Sequence, residues 1–376
     1  LRIAVNTRLL LKNRLEGIGW FTYETMRRIA EGHPEHEFIF IFDRPFDPDF
    51  IFAANVQGVV IGPPARHPLL FIAWFEFSIP YILKKFKADL FLSPDGYLSL
   101  RCKLPQISVI HDLNFEHYPE HLPRLVRWYY KYFFPRFAKK AKRIITVSNY
   151  SKSDIIKQYD ISPKLIEVAY NGVNTNYQPI ADVRQQQIRD ELSNGNPYFV
   201  FVGALHPRKN IIGLLQSFEI YKNKKASNTH LIIVGNKYWW NDEMENQHQK
   251  MLNKSAVQFI GHLDSKRLNE VVAASIAMVY VSFFEGFGIP ILEAFRAETA
   301  VITSNVTSMP EVAQDAALLV DPFDYESIAK AMETMDSDSE IRQAYIEKGK
   351  IRARYFSWDQ TAKAVWESIQ KEIIKL

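Results

Sequence analysis

The chain has 376 residues, past the ~250–300 at which a single core stops growing, so two domains of ordinary size are expected. A composition of 47% hydrophobic, 14% aromatic and 23% charged residues excludes disorder and fibrous repeats, and one cysteine, Cys102, excludes an internal disulfide or cysteine-built metal site and fits a reducing, cytosolic compartment. The net charge of +4 hides an asymmetry: residues 1–175 hold 24 Lys and Arg against 17 Asp and Glu, the remainder 22 against 25, so the first half is expected to meet an anionic partner.

In chain order, Leu1–Asn6 is too short an apolar run for a secretory signal and is followed by Arg8 and Lys12. Short apolar runs recur at Ile3–Asn6, Phe38–Phe42, Val59–Ile61, Leu90–Ser93, Ile107–His111, Ile144–Ser148 and Ile166–Ala169, mostly separated by helix-length amphipathic segments. This alternation is the signature of a mainly parallel sheet buried on both faces. Gly17-Ile18-Gly19 opens a helix over Trp20–Ala30. Leu69–Leu83 is the most lipid-like stretch, but Glu76 and Pro80 interrupt it and it falls short of the ~20 apolar residues of a spanning helix.

From Arg124 to Arg143 there are eight basic residues and no acidic one, with Leu125, Trp128, Tyr129, Tyr132 and Phe133 at helical spacing. Two readings fit this segment: a core stripe with a solvated basic face, or a surface resting on anionic lipid. Nucleic acid is not expected, since the basic cluster is confined and no recognition motif accompanies it. A polar stretch from Asn174 to Asn196 places a linker near 172–180. A second series follows at Tyr198–Val202, Leu231–Val234, Val257–Ile260, Met278–Val281, Val301–Thr303 and Leu318–Val320, so two Rossmann-like domains are expected, with a cleft between them. The last helix, from Trp358, carries Ala362, Val365, Trp366, Ile369 and Ile373 on one stripe.

Ligands of such sheets bind where strand ends meet helix N-termini. Neither G-x-G-x-x-G nor G-x-x-x-x-G-K-[ST] occurs, which disfavours dinucleotide and P-loop readings. After Met278–Val281, the run from Ser282 to Glu293 includes Glu285, Gly286, Phe287, Gly288, Ile289 and Pro290. Pro290 suits a first helical turn, so the N–H groups of Gly288, Ile289 and Ile291 are expected to face an anion as a diphosphate cradle. Glu285 and Glu293 suit different hydroxyls of one elongated ligand; the plain alternative is that Glu293 complements the helix dipole and Glu285 is solvated. After Tyr198–Val202, Arg208 offers a fork for phosphate oxygens and Lys209 a point charge, unless the pair is simply solvated. His111 ends the Ile107 run as a substrate contact or as an ordinary turn histidine. Gly17 and Gly19 either admit a phosphate or sugar to the backbone or form a flexible turn. The D-x-D pairs at Asp47 and Asp336 lie in polar loops and are read as surface features, so no metal site is expected.

Together these segments resemble retaining glycosyltransferases of family 4, which have the GT-B fold. The motifs are Gly17-Ile18-Gly19, Ile110-His111-Asp112-Leu113, Thr146–Lys152, Asn171–Asn174, Val202–Asn210, Phe259–Leu263 and Glu285–Glu293, in order over nearly the whole chain. The likeness is strongest to the bacterial mannosyltransferase-like branch that builds surface polysaccharides. It implies an α/β architecture of two Rossmann-like domains: an acceptor-side domain over 1–173, to which 357–376 returns, and a nucleotide-sugar domain over 174–356. It also implies a retaining hexosyltransferase, mannose favoured, taking GDP-mannose or another nucleotide sugar to a glycan or lipid-linked acceptor, with no cofactor and no obligatory metal. The expected location is cytoplasmic, on the inner face of the plasma membrane if 124–143 touches lipid.

Residue by residue, the resemblance implies that Arg208 and Lys209 hold the diphosphate, assisted by the backbone at Phe287, Gly288 and Ile289. Glu285 takes donor-sugar hydroxyls and Glu293 the ribose. Gly235, Gly261, His262 and Leu263 line the base pocket, Gly203 belongs to the donor site, His111 contacts the donor sugar near the reacting carbon, and Gly17 and Gly19 close over the phosphate. Ala204 departs from the pattern, since many members have arginine after the glycine, which leaves Arg208 as the nearby fork. Two competing classes are a nucleotide-sugar epimerase of the same fold, separable by detecting sugar transfer, and a non-catalytic glycan-binding relative, disfavoured by intact Arg208, Lys209, Glu285 and Glu293.

Overall fold

Every one of the apolar runs forms a strand in the computed structural model, which describes residues 1–225 and 227–374. In the first unit β1 (Arg2–Asn6), β2 (Glu37–Phe42), β3 (Val56–Val60), β4 (Leu90–Ser93), β5 (Gln106–Val109), β6 (Arg143–Thr146) and β7 (Ile166–Val168) form one parallel sheet in the order β3-β2-β1-β4-β5-β6-β7. In the second, β8 (Tyr198–Val202), β9 (His230–Val234), β10 (Val257–Gly261), β11 (Ala277–Tyr280), β12 (Ala300–Ser304) and β13 (Leu318–Val320) lie parallel in the order β10-β9-β8-β11-β12-β13. Each order reverses once, between β1 and β4 and between β8 and β11, and such switch points open a crevice at the strands' carboxyl ends. Strands covered on both faces need continuous apolar runs, and β1, β8 and β11 are buried almost throughout.

The chain divides into Leu1–Gly172 with Ser357–Leu376, and Val173–Phe356. The last helix, Trp358–Ile373, packs on Gly17–Gly32: Asp359 accepts from Arg28 at 2.6 Å and Trp366 stacks on His33 with ring centroids 3.8 Å apart. Thr361 donates to the Tyr170 carbonyl at 2.6 Å, and a Cβ on Gly172 would lie 2.3 Å from the Trp358 nitrogen, so glycine is required there. Past residue 180 the polar stretch continues as structure of the second unit. It forms the helix Asp182–Ser193, held to the second unit by Arg184 on Glu270 at 2.8 Å and Arg189 on the Ala274 carbonyl at 2.9 Å.

Three sequence expectations are corrected. The first helix begins at Gly17, not Trp20, so Gly17 and Gly19 form its opening turn, and a Cβ on Gly19 would meet the Leu9 carbonyl at 2.9 Å. In the helix Arg124–Lys140 the supposed single stripe splits: Tyr129 and Phe133 enter the core, whereas Leu125, Trp128 and Tyr132 stay exposed. Arg143 belongs to β6 and pairs with Glu372 at 2.9 Å and Glu167 at 3.2 Å, so it is not part of a free basic face.

Candidate active site

The chemistry-bearing loops of the second unit start at the end of β8. His206 caps the short turn Pro207–Lys209, its Nδ1 accepting the Arg208 N–H at 3.2 Å. Asn210, at φ +57°, caps the helix Ile211–Lys224 through Gly213 N–H at 3.2 Å and donates to the Val281 and Pro322 carbonyls at 3.0 and 2.8 Å. These bonds tie the turn to the loop after β11 and so aim Arg208 and Lys209 across the switch point. Lys209 Nζ reaches Glu285 Oε1 and Tyr280 Oη, both at 2.6 Å, and Arg208 reaches Glu285 Oε2 and the Phe284 carbonyl, both at 3.0 Å.

Glu285 is 6% exposed. Burial pushes its carboxyl up, but Lys209 and Arg208 outweigh that and hold it at about 2. Two cations on one carboxylate leave the cluster with a single net positive charge at neutral pH. The Glu285 backbone is pinned as well: its N–H donates to Thr307 Oγ1 at 3.3 Å, and Ser308 Oγ bonds the Glu285 and Phe287 carbonyls at 2.9 and 3.0 Å.

Gly288, at φ +100°, turns the chain into the helix Ile289–Arg296, with Pro290 at its second position. The expected cradle is smaller than the sequence implied, because the Ile291 N–H already donates to the Gly288 carbonyl at 3.0 Å. Gly288 and Ile289 remain the first-turn N–H groups for which a helix has no internal acceptor. Phe287 is buried, its ring edge-on to Phe356 at 5.7 Å. One turn on, burial lifts the Glu293 carboxyl to about 7, partly countered by a hydrogen bond from the buried Tyr177 hydroxyl.

Three candidate glycines mark the ends of neighbouring strands. Gly203 N–H bonds the Val234 carbonyl at 2.9 Å and Gly235 N–H bonds the Gly261 carbonyl at 2.8 Å, so β8, β9 and β10 finish in one laced edge. A Cβ on Gly235 would sit 1.9 Å from the Gly203 carbonyl oxygen, whereas Gly261, at φ +71°, faces open space. Beyond Gly261, His262 is exposed and Leu263 half-buried.

In the first unit His111 lies two residues past β5. Its Nε2 sits 2.9 Å from the Pro94 carbonyl, which accepts only, so Nε2 carries the proton and Nδ1 presents a lone pair. Burial holds its pKa below the usual histidine value, so the ring is neutral at pH 7, and Phe21 packs edge-on at 4.9 Å. Gly17 has open space beside it. Of the D-x-D carboxylates, Asp47 pairs with Lys12 and Asp338 caps the helix Ser339–Ala353, whereas Asp336 lies inside the helix Tyr325–Ser337 and not in the expected loop, accepting from Lys225 and Tyr221 at 2.8 and 2.9 Å.

Asn210, the last residue of the Val202–Asn210 motif, holds this site together with Tyr177, Tyr280 and Ser308, for which the sequence motifs assign no role. A strand-ending Tyr280 and an asparagine before a helix were visible signals, whereas Tyr177 and Ser308 reach their partners across the fold.

Solved structures that share this architecture include glycosyltransferases of the GT-B fold. Sucrose-phosphate synthase from Thermosynechococcus elongatus matches with a TM-score of 0.82 at 18% identity, 100% of each chain being covered. Anabaena HepE in complex with UDP-glucose matches at 0.76 and 16% identity, covering 98% of this chain and 99% of that one. The family models Glycosyltransferase Family 4, over residues 15–177, and Glycosyl transferases group 1, over residues 183–352, account for most of the sequence, and the chain belongs to the family 4 glycosyltransferases. O-antigen chain mannosyltransferase B of Escherichia coli is 28% identical over 362 residues, spanning 93% of this chain and 94% of that protein.

Proposed function

We propose that this glycosyltransferase moves a mannosyl residue, with retention at the anomeric carbon, from GDP-mannose or a related nucleotide sugar to a glycan or lipid-linked acceptor in surface-polysaccharide synthesis. The observation that carries the donor side is the Arg208, Glu285 and Lys209 cluster at the β8/β11 switch point, two cations fixed on one carboxylate. The likeness to the Escherichia coli mannosyltransferase supports the sugar and the pathway class. In this reading Arg208 and Lys209 stabilise the leaving diphosphate, assisted by the Gly288 and Ile289 N–H groups. That phosphate takes the acceptor's proton on the same face of the sugar. Glu285 accepts from donor-sugar hydroxyls, and the His111 Nδ1 lone pair accepts from a hydroxyl near the reacting carbon. Gly235, Gly261, His262 and Leu263 border the base, and Gly203 is part of the same donor site. The positive charge comes from the protein, so no obligatory metal and no cofactor are assigned.

Calorimetric titration with GDP tests the donor side. Arg208→Ala is expected to weaken GDP roughly tenfold or more, as loss of a charge-assisted bond does. Unchanged affinity removes Arg208 from the phosphate site. Product analysis on an acceptor tests the reaction: an α-linked mannoside from the α-linked donor supports retention, whereas an epimerised free donor without transfer overturns the assignment.

Glu293 adds a pH dependence. As a ribose acceptor it must be ionised, and its carboxyl is lifted to about 7, so GDP affinity should rise as pH increases through 7. For the free protein the sign is opposite: a raised carboxyl contributes stability that is complete below the ordinary value of 4.5 and lost as pH rises through about 7. Glu293→Gln should flatten both profiles. A GDP titration that keeps its pH dependence in the variant assigns it to another group.

No helix among the described residues is long and apolar enough to cross a membrane. We assign the exposed basic residues Arg124, Arg127, Lys131, Arg136 and Lys139 to contact with the anionic inner face of the plasma membrane, in keeping with a cytoplasmic enzyme and a lipid-linked acceptor.

A further inference from the structure

In the helical stretch from Pro68 to Lys85 the wide turn Trp74–Ser78 separates the helices Pro68–Ala73 and Ile79–Lys85. Its inner face, with Phe71, Trp74, Phe75, Ile79 and Ile82, is core. Its outer face carries Leu69, Phe77 and Tyr81, 60%, 60% and 59% exposed. This stretch and the helix Arg124–Lys140 each precede a strand that extends the sheet in the same direction, β4 and β6, so with right-handed crossovers both lie over one sheet face. They share one core, where Phe71 meets Tyr129 at 5.5 Å. The outer face of Arg124–Lys140 adds Leu125, Trp128 and Tyr132, 41%, 50% and 43% exposed. Six large apolar or aromatic side chains, three on this helical stretch and three on the helix Arg124–Lys140 that shares its core, are more than scattered surface residues need, and they mark an interaction surface.

The charge around them selects the occupant. The two segments, 68–85 and 124–140, contain eight Lys and Arg and one carboxylate, Glu76, which is buried and spent on the Leu100 and Arg101 N–H groups at 2.8 and 3.0 Å. Arg101 lies 4.7 Å over the Phe77 ring, and Arg136 lies 3.7 Å over the Tyr132 ring, which stacks on Trp128 at 5.9 Å. Aromatic rings with basic groups at their edges suit the boundary between lipid headgroups and acyl chains: rings enter, cations stay with the phosphates. We propose that this surface inserts into an anionic bilayer, with Phe77 and Tyr81 as the inserting side chains of the Pro68–Lys85 stretch and Trp128 and Tyr132 as those of the helix Arg124–Lys140. The proposal rests on the membrane contact assigned to the basic helix and adds an apolar insertion to it.

The test is sedimentation of the full chain with vesicles of phosphatidylcholine alone or mixed with phosphatidylglycerol, at low salt and at about 0.5 M salt, where exposed charges are screened. Native protein should bind the mixed vesicles and keep part of that binding at high salt. Phe77→Ser with Tyr81→Ser should lower partitioning roughly tenfold at both salts, as loss of buried ring surface does, with unchanged melting temperature and unchanged turnover on a short water-soluble acceptor. Arg124→Ser with Lys131→Ser should lower it at low salt only. If the aromatic variant binds as the native protein does and all binding vanishes at high salt, insertion is overturned and the electrostatic contact stands. If native protein sediments with neither vesicle, both are overturned. If the patch instead mediates self-association that Phe77→Ser abolishes, without vesicle binding, its occupant is a second copy and the proposal fails.

Discussion

Replacing Glu285 by glutamine should lower turnover by roughly a hundredfold or more while GDP affinity does not fall, as judged by initial rates and calorimetry on the same preparations. Glutamine keeps the shape of the side chain and removes its charge. The charged acceptor proposed for the donor-sugar hydroxyls is lost, whereas Arg208 and Lys209, each bonded to the carboxylate in the free protein, are left facing the diphosphate with two net charges instead of one. Catalysis and nucleotide binding therefore move apart. A parallel loss of both would place Glu285 in the nucleotide site alone. Stability should also fall, because the Lys209 side chain is 9% exposed and breaking a buried ion pair costs about 3–5 kcal/mol. The loss has a pH signature. A carboxyl held at about 2 contributes stability that is present above its ordinary value of 4.5 and lost as pH falls through about 2. The melting temperatures of native and variant protein should converge over that window and stay apart at neutral pH.

What the sequence showed clearly were features set by local pattern. Runs such as Tyr198–Val202 and Leu90–Ser93 end in the structure where hydropathy ends them, because strands covered on both faces leave no choice of residue. The third strand begins at Val56 although its apolar run starts at Val59, because Gln57 and Gly58, poor strand residues by composition, hide its first half. Gly58 is there for packing: Phe46, stacked on Phe42 at 4.2 Å, has a ring carbon 2.2 Å from where a Cβ would lie. The same limit applies at the site. Arg208, Lys209, Glu285 and Glu293 stand out by their place in the loops, but that one carboxylate holds both cations depends on Tyr280, Thr307 and Ser308, which no spacing rule connects. Periodicity also cannot tell which apolar residues of Arg124–Lys140 face a neighbour. Trp128 and Tyr129 are adjacent in sequence and opposite in fate, one half exposed and one fully buried.

Gly235→Ala should be the most damaging single-methyl change in the second unit, at roughly 2–4 kcal/mol in urea unfolding, with GDP binding lost. The added carbon would stand 1.9 Å from the Gly203 carbonyl oxygen, a backbone atom that cannot rotate aside, and φ at Gly235 is +153°. Relief requires β8 and β9 to separate at their carboxyl ends, where Gly203 N–H bonds Val234 and Gly235 N–H bonds Gly261. That separation would shift the turn carrying Arg208 and Lys209 away from Glu285, so the fold and the ion cluster fail together. Gly261→Ala is the matched control. It carries the strain of φ +71° but meets open space, so its cost is the ~1–2 kcal/mol of a left-handed residue, and Arg208 and Lys209 keep their places. Equal losses in the two variants would mean that backbone strain alone, not the close approach of Gly235 to the Gly203 carbonyl, makes glycine necessary at the end of β9.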